Sequence, residues 1–281
     1  MAEYINIRGQ NIEVVASDPA NPTLGQIWYN STSNTLKGLS YAAGSWATGG
    51  NMATARRNLA GAGTQTAALA FGGYDGTYLN ATEEYNGTSW SPGGSLNTTR
   101  RSLAGCGIQT AGLAFGGETP GGVTAATEEY DGSTWSSNPT GLNTARYELA
   151  GAGTQTAGLA FGGNPGTGVV GETEEYNGST WSSNPTGLNT ARALLAGCGT
   201  QTAALAFGGD NPSPGFLNAT EEYDGSTWTS VNSMNTGRDR LAGAGIQTAA
   251  LGFGGNTGPA IIAQTEEYTG AGPVTVTISG S

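Results

Sequence analysis

Hydrophobic positions along this chain fall in short runs separated by glycine. The clearest run is Ala67-Ala68-Leu69-Ala70-Phe71, followed at once by Gly72-Gly73. Alanine and leucine favour helix, but five residues closed by paired glycines are too few to stand as one. As a strand the run alternates, with Leu69 and Phe71 on one face and Ala68 and Ala70 on the other. A large face and a small face suit a sheet pressed between two neighbours. The surrounding pieces are equally short, so the first full unit divides into four strands: a, Leu59–Gly63; b, Ala67–Gly72; c, Ala81–Tyr85; d, Ser89–Ser91. Strand a is nearly all Gly and Ala, as expected where backbones crowd around an axis.

The same order recurs along the chain. Phe-Gly-Gly begins at Phe71, Phe115, Phe161, Phe207 and Phe253, in steps of 44, 46, 46 and 46 residues. Each unit runs Asn-Thr-Ala-Arg or a close variant, Leu-Ala-Gly-Ala-Gly, Thr-Gln-Thr, the b run, a variable stretch, Thr-Glu-Glu-Tyr and Trp. A repeat of this length with four short strands is one blade of a β-propeller.

The flanks extend the pattern. Tyr41 and Trp46 are five residues apart, like Tyr85 and Trp90, so residues 36–47 are expected to form a c–d hairpin. Residues 25–30 and 11–16 can supply the b and a strands of that blade. The last unit lacks its tryptophan, and residues 273–279 can take its d position. Since 281 residues divided by 46 gives just over six, the expected fold is all-β, a propeller of six four-stranded blades. Their approximate spans are 11–50, 51–94, 95–140, 141–186, 187–232 and 233–281, behind an N-terminal arm at 1–10. The alternative is five blades with the N-terminal residues as an appendage.

Gly-Gly after strand b, Tyr at the end of c and Trp in d together resemble the kelch repeat over almost the whole chain. The unit Asn-Thr-Ala-Arg … Phe-Gly-Gly … Thr-Glu-Glu-Tyr, headed by Gly-Gln-Ile-Trp-Tyr-Asn-Ser-Thr-Ser-Asn-Thr-Leu-Lys-Gly, is more narrowly similar to repeat proteins of tailed bacterial viruses. That resemblance implies a virion surface or tail-fibre component. Its partners would be other virion proteins and a host-cell glycan or protein, and its role either host attachment or purely structural.

Charged residues are only 11% of the chain and the formal net charge is −11, with Lys37 the one lysine. No basic surface is available for nucleic acid or anionic lipid. The N-terminus has no secretory signal pattern, and no apolar stretch is long enough to span a bilayer, so a virion protein made in the host cytoplasm is expected.

Cys106 and Cys198 sit where other repeats carry Ala62, Ala152 and Ala244, and read as small buried thiols. The kelch resemblance brings copper oxidases and sialic-acid enzymes into view, but the sequence has no histidine, which removes copper ligands of that kind and Ser-His or Cys-His nucleophiles. No catalytic residue, metal site or cofactor is expected; a carbohydrate-active enzyme is the remote alternative.

The recurring charges are Arg56, Arg100, Arg146, Arg192 and Arg238, and the pairs Glu83-Glu84, Glu128-Glu129, Glu174-Glu175, Glu221-Glu222 and Glu266-Glu267. Equal periods predict one Arg–Glu contact per blade or between blades, which would fix blade register and which the planar guanidinium suits. The other Glu is expected to face solvent or turn amides. Repeated Tyr and Trp are read as core between blades. Differences concentrate in the b–c loops, which should emerge on the same face as the d–a connections. Ligand-contact candidates there are Tyr74, Asp75, Tyr78, Asp210 and Phe216.

Overall fold

The computed structural model describes residues 13–20, 27–38, 49–213 and 215–270. Every regular element among them is a strand. Two compact units are present, residues 1–48 and 49–281.

In the first unit, Glu13–Val15 pairs in parallel with Ile27–Asn30, which pairs antiparallel with Thr35–Gly38. A blade would have run antiparallel throughout, so the meander expected for residues 11–38 takes a different form. Asp18 gives the reason. Its carboxylate accepts from Trp28 Nε1 at 3.0 Å, Asn30 Nδ2 at 2.8 Å and Lys37 Nζ at 2.7 Å. A long connection returning the chain to the same edge is what parallel pairing needs. Those donors, led by Lys37, hold the Asp18 carboxyl well below the usual carboxylate range. The expected arm at 1–10, the Tyr41–Trp46 hairpin and the d strand at 273–279 lie outside the described residues.

The second unit is propeller-like, five successive sheets built from the repeat. Blade 1 comprises Ala60–Thr64 (a), Ala67–Phe71 (b), Thr82–Tyr85 (c) and Trp90–Pro92 (d). Blade 2 comprises Ala104–Ile108, Ala111–Phe115, Thr127–Tyr130 and Trp135–Asn138. Blade 3 comprises Ala150–Thr154, Ala157–Phe161, Thr173–Tyr176 and Trp181–Asn184. Blade 4 comprises Ala196–Thr200, Ala203–Phe207, Thr220–Tyr223 and Trp228–Val231. Blade 5 has three described strands, Ala242–Ile246, Ala249–Phe253 and Thr265–Thr269. All pair antiparallel in the order a-b-c-d. Each a strand packs on that of the next blade, from blade 1 through blade 5, and among the described residues no comparable packing joins blade 5 back to blade 1.

Cohesion between blades comes from one recurring set of contacts. The strand-b phenylalanine of one blade meets the tryptophan of the next, with Phe71–Trp135, Phe115–Trp181 and Phe161–Trp228 centroids all 4.9 Å apart. The indole N–H donates back to the preceding blade: Trp135 to Thr82 Oγ1 at 2.9 Å, Trp181 to Thr127 at 2.9 Å and Trp228 to Thr173 at 2.8 Å. The same phenylalanine explains the glycines of strand a. A β-carbon on Gly105 would lie 2.4 Å from Phe71 Cζ, and one on Gly151 2.6 Å from Phe115 Cζ.

The uniform Thr-Gln-Thr turn is a clasp. Gln109 Nε2 donates to Ala68 O at 3.0 Å and Tyr85 O at 2.8 Å of the preceding blade, and Gln155, Gln201 and Gln247 do the same in turn. Cys106 and Cys198 are buried free thiols, and burial pushes them up to about 12 and about 11.

Candidate functional site

The repeat arginines lie beneath the variable loops and fix their stems. Arg100 is fully buried; its Nη1 donates to Gly116 O at 3.1 Å and Ala126 O at 2.6 Å, the two stems of the blade 2 b–c loop. Its Nη2 reaches Glu128 Oε1 at 3.0 Å. The same ion pair joins Arg56 to Glu83, Arg146 to Glu174, Arg192 to Glu221 and Arg238 to Glu266, at 3.0 to 3.1 Å. All five bind within a blade. The other oxygen of the glutamate accepts a backbone N–H at the start of the unit, as Glu174 Oε2 does from Asn143 at 2.6 Å. Burial lowers the Arg100 guanidinium to about 10, against the opposing effect of Glu128.

The sequence predicts that the second glutamate of each pair faces solvent or turn amides; in blades 1 to 4 it meets the next blade instead. Adjacent strand residues point to opposite faces, and here the opposite face meets the next blade. Glu84 accepts the Tyr130 hydroxyl, Glu129 that of Tyr176, Glu175 that of Tyr223 and Glu222 that of Tyr268. Burial, reinforced by Glu84, pushes the Tyr130 phenol up to about 12. In blade 5, Glu267 is exposed.

Above this framework the d–a connections bridge to the first residues of the b–c loops: Arg57 to Tyr74, Arg101 to Glu118, Tyr147 to Asn164, Ala193 to Asp210 and Asp239 to Asn256. Both sets of segments therefore share one face.

Innermost on that face stand Asn58, Ser102, Glu148, Leu194 and Arg240, with φ between 52° and 57°. A left-handed conformation costs roughly 1–2 kcal/mol per non-glycine residue and persists where the surroundings impose it. The constraint is a relay of backbone bonds: Ser102 N–H to Asn58 O, Glu148 to Ser102, Leu194 to Glu148 and Arg240 to Leu194, at 2.8 to 2.9 Å. These residues and the leucines that follow them line a cavity of about 590 Å³ to which all five blades contribute.

Its rim is chemically uneven. Burial raises the Glu148 carboxyl, which Arg240 partly offsets. Arg240 Nη1 pairs with the neighbouring Asp239 Oδ2 at 2.8 Å, and burial raises the Asp239 carboxyl against the opposing effect of Arg240. Leu59, Leu103, Leu149, Leu195 and Leu241 give the cavity an apolar lining below these polar groups.

The sequence-derived candidates divide into two groups on this face. Tyr74 and Tyr78 of blade 1 meet edge to face at 5.6 Å, with the Arg101 guanidinium 5.0 Å from each ring and Arg57 5.5 Å from Tyr74. Asp75 accepts from Thr77 and shapes that loop's turn. Asp210 and Phe216 pair across a small hairpin of blade 4, where Phe216 is 39% exposed. Two blades intervene, so the structure does not bring the groups together. Between them lie Glu148 and the other innermost residues, which sequence reasoning missed. A signal was available, since each unit reads Arg-x-x-Leu with both central positions varied.

No protein-family model matches the chain, and no curated protein is significantly similar to it.

Proposed function

We propose that this chain is a non-enzymatic binding component of a tailed-bacteriophage virion, attaching to a host-surface glycan or protein through the loop face. The observation that carries the reading is the concentration of difference on one face. Loops, d–a connections and the innermost left-handed residues all vary there, while buried arginines hold the loop stems in place. Side chains that differ from blade to blade around a cavity with an apolar lining and a charged rim suit an asymmetric ligand. Similarity of the repeat to those of tailed bacterial viruses supplies the setting. Many weak contacts on a multicopy particle hold by avidity.

The test is to exchange residues 74–78 and 210–216 for Gly-Ser turns. The exchange must stop there, because Leu79 O and Leu217 O accept the backbone N–H groups of Arg100 and Arg238. Particles that assemble normally are expected to attach to host cells at least tenfold less. Unchanged attachment would count against the receptor reading, and failed assembly by a folded chain would assign the loops to docking on other virion subunits.

A further inference from the structure

Positive charge is scarce in the second unit, and most of it is already committed. Besides the five repeat arginines on their glutamates, the sequence from residue 49 onward carries only Arg57, Arg101 and Arg240. Two of these three gather on the aromatic pair of the blade 1 loop: the Arg101 guanidinium carbon lies 5.0 Å from the Tyr74 and Tyr78 ring centres, and that of Arg57 5.5 Å from Tyr74. Arg101 is also pinned from the side, because its Nε donates to Glu118 Oε2 at 2.8 Å. Its two Nη groups and Glu118 Oε1 have no hydrogen-bond partner among the described residues, and the pair stays accessible, with the Arg101 side chain 31% and the Glu118 side chain 26% exposed. Arg57 is exposed and makes no ion pair among the described residues. Asp75, the acid of the same loop, is turned onto the Thr77 N–H and hydroxyl at 3.0 and 2.9 Å. Tyr147 of blade 3 flanks the arrangement; burial raises its phenol, Glu148 and Glu118 add to the rise, and Arg101 opposes it.

We propose that Arg101, Arg57 and the Tyr74–Tyr78 pair bind an acidic saccharide, with a carboxylate or phosphate of the sugar on the free Nη groups of Arg101. The inference rests on the loop-face reading and names the ligand class there. A guanidinium held at its Nε and flanked by rings keeps its plane, so its outer edge is a ready fork for two oxygens of one anion. The second arginine adds a charge that Glu118 does not neutralise. A sugar ring has an apolar face and a rim of hydroxyls, which suits half-buried tyrosines set beside a free donor edge and a free carboxylate oxygen. An acidic peptide is less well matched. The backbone of this patch is already paired, Tyr74 with Arg57 and Tyr78 and Arg101 with Glu118, so it offers side chains but no strand edge.

The probes are purified bacterial surface polysaccharides passed over the immobilised full chain, some carrying uronic acids, some phosphate monoesters and some neutral. Binding is expected for acidic members only, and whether the uronic or the phosphorylated ones bind tells which anion is read. Reducing the uronic carboxyls to alcohols, or removing the phosphates with phosphatase, should weaken that binding at least tenfold. Arg101→Lys, which keeps the charge and loses the planar fork, should weaken it about tenfold, and Arg101→Met more. The treatments on the polysaccharide leave the protein untouched, so they decide the matter even where a variant folds poorly. Treated polysaccharides that bind as well as the originals overturn the inference, as does a folded Arg101→Met chain that binds unchanged. Equal binding of a polyglutamate peptide also overturns it and assigns the patch to an acidic protein. Binding of the neutral members alone overturns it while the loop-face reading stands. Binding of none overturns it as well, and the loop-face reading is then decided separately by attachment of the loop-exchanged particles.

Discussion

A buried arginine is useful only while its partners remain. Arg146 has no exposed side-chain surface, and its Nη groups are met by Glu172 O, Ala160 O and Glu174, while its Nε has no partner among the described residues. Removing one member of such a pair strands the other charge, so Arg146→Met should destabilise by about 3–5 kcal/mol. Adding Glu174→Gln should recover part of that loss, which denaturant unfolding of the single and double variants would measure. Glu148 offers a test through pH. Burial raises its carboxyl above the unfolded value, so ionisation favours the unfolded chain. The contribution from Glu148 is full below about pH 4, the ordinary glutamate range, and is lost as pH rises through the raised value. Glu148→Gln should therefore flatten the fall in stability between acidic and neutral pH, and an unaltered slope would show that the carboxyl is not desolvated.

At the level of strands, the phenylalanine of one blade and the glycine of the next form a matched pair. Gly151→Ala places a β-carbon against the Phe115 ring and should cost about 1–3 kcal/mol. Phe115→Leu in the same chain should be less than additive with it, as expected for residues in direct contact. The repeat itself made these strands legible, because alternation in Ala-Ala-Leu-Ala-Phe shows which residues face a neighbour. The Arg–Glu pairing was legible from equal periods. The destination of the second glutamate was not, since sequence shows that it faces away from the first and does not show that a tyrosine hydroxyl waits there. The left-handed positions were hidden for a different reason. Asparagine at 58 is ordinary in that conformation, but Leu194 and Arg240 have no local preference for it and are placed there by the backbone relay. In the N-terminal unit, Asp18 gathers three side chains from two strands, and no periodicity announces a parallel pair.

Across the second unit, the three seams from blade 1 to blade 4 present the same two surfaces. One offers phenylalanine, threonine and glutamate, and the other offers tryptophan, tyrosine, glutamine and glycine. Thr127→Val should loosen the seam between blades 2 and 3 by about 1–3 kcal/mol through the Trp181 N–H left unpaired. Amide exchange should show that loss first in the strands on either side of that seam. Such head-to-tail surfaces are heterologous, so their chemistry places no limit on how many blades can follow one another. The count must instead be set by an angle, the wedge that each blade subtends. That wedge is governed where the a strands meet, and Gly and Ala there keep it narrow. Enlarging those side chains together would change arithmetic rather than affinity: the same seams would form, and fewer or more blades would be needed to turn through a full circle.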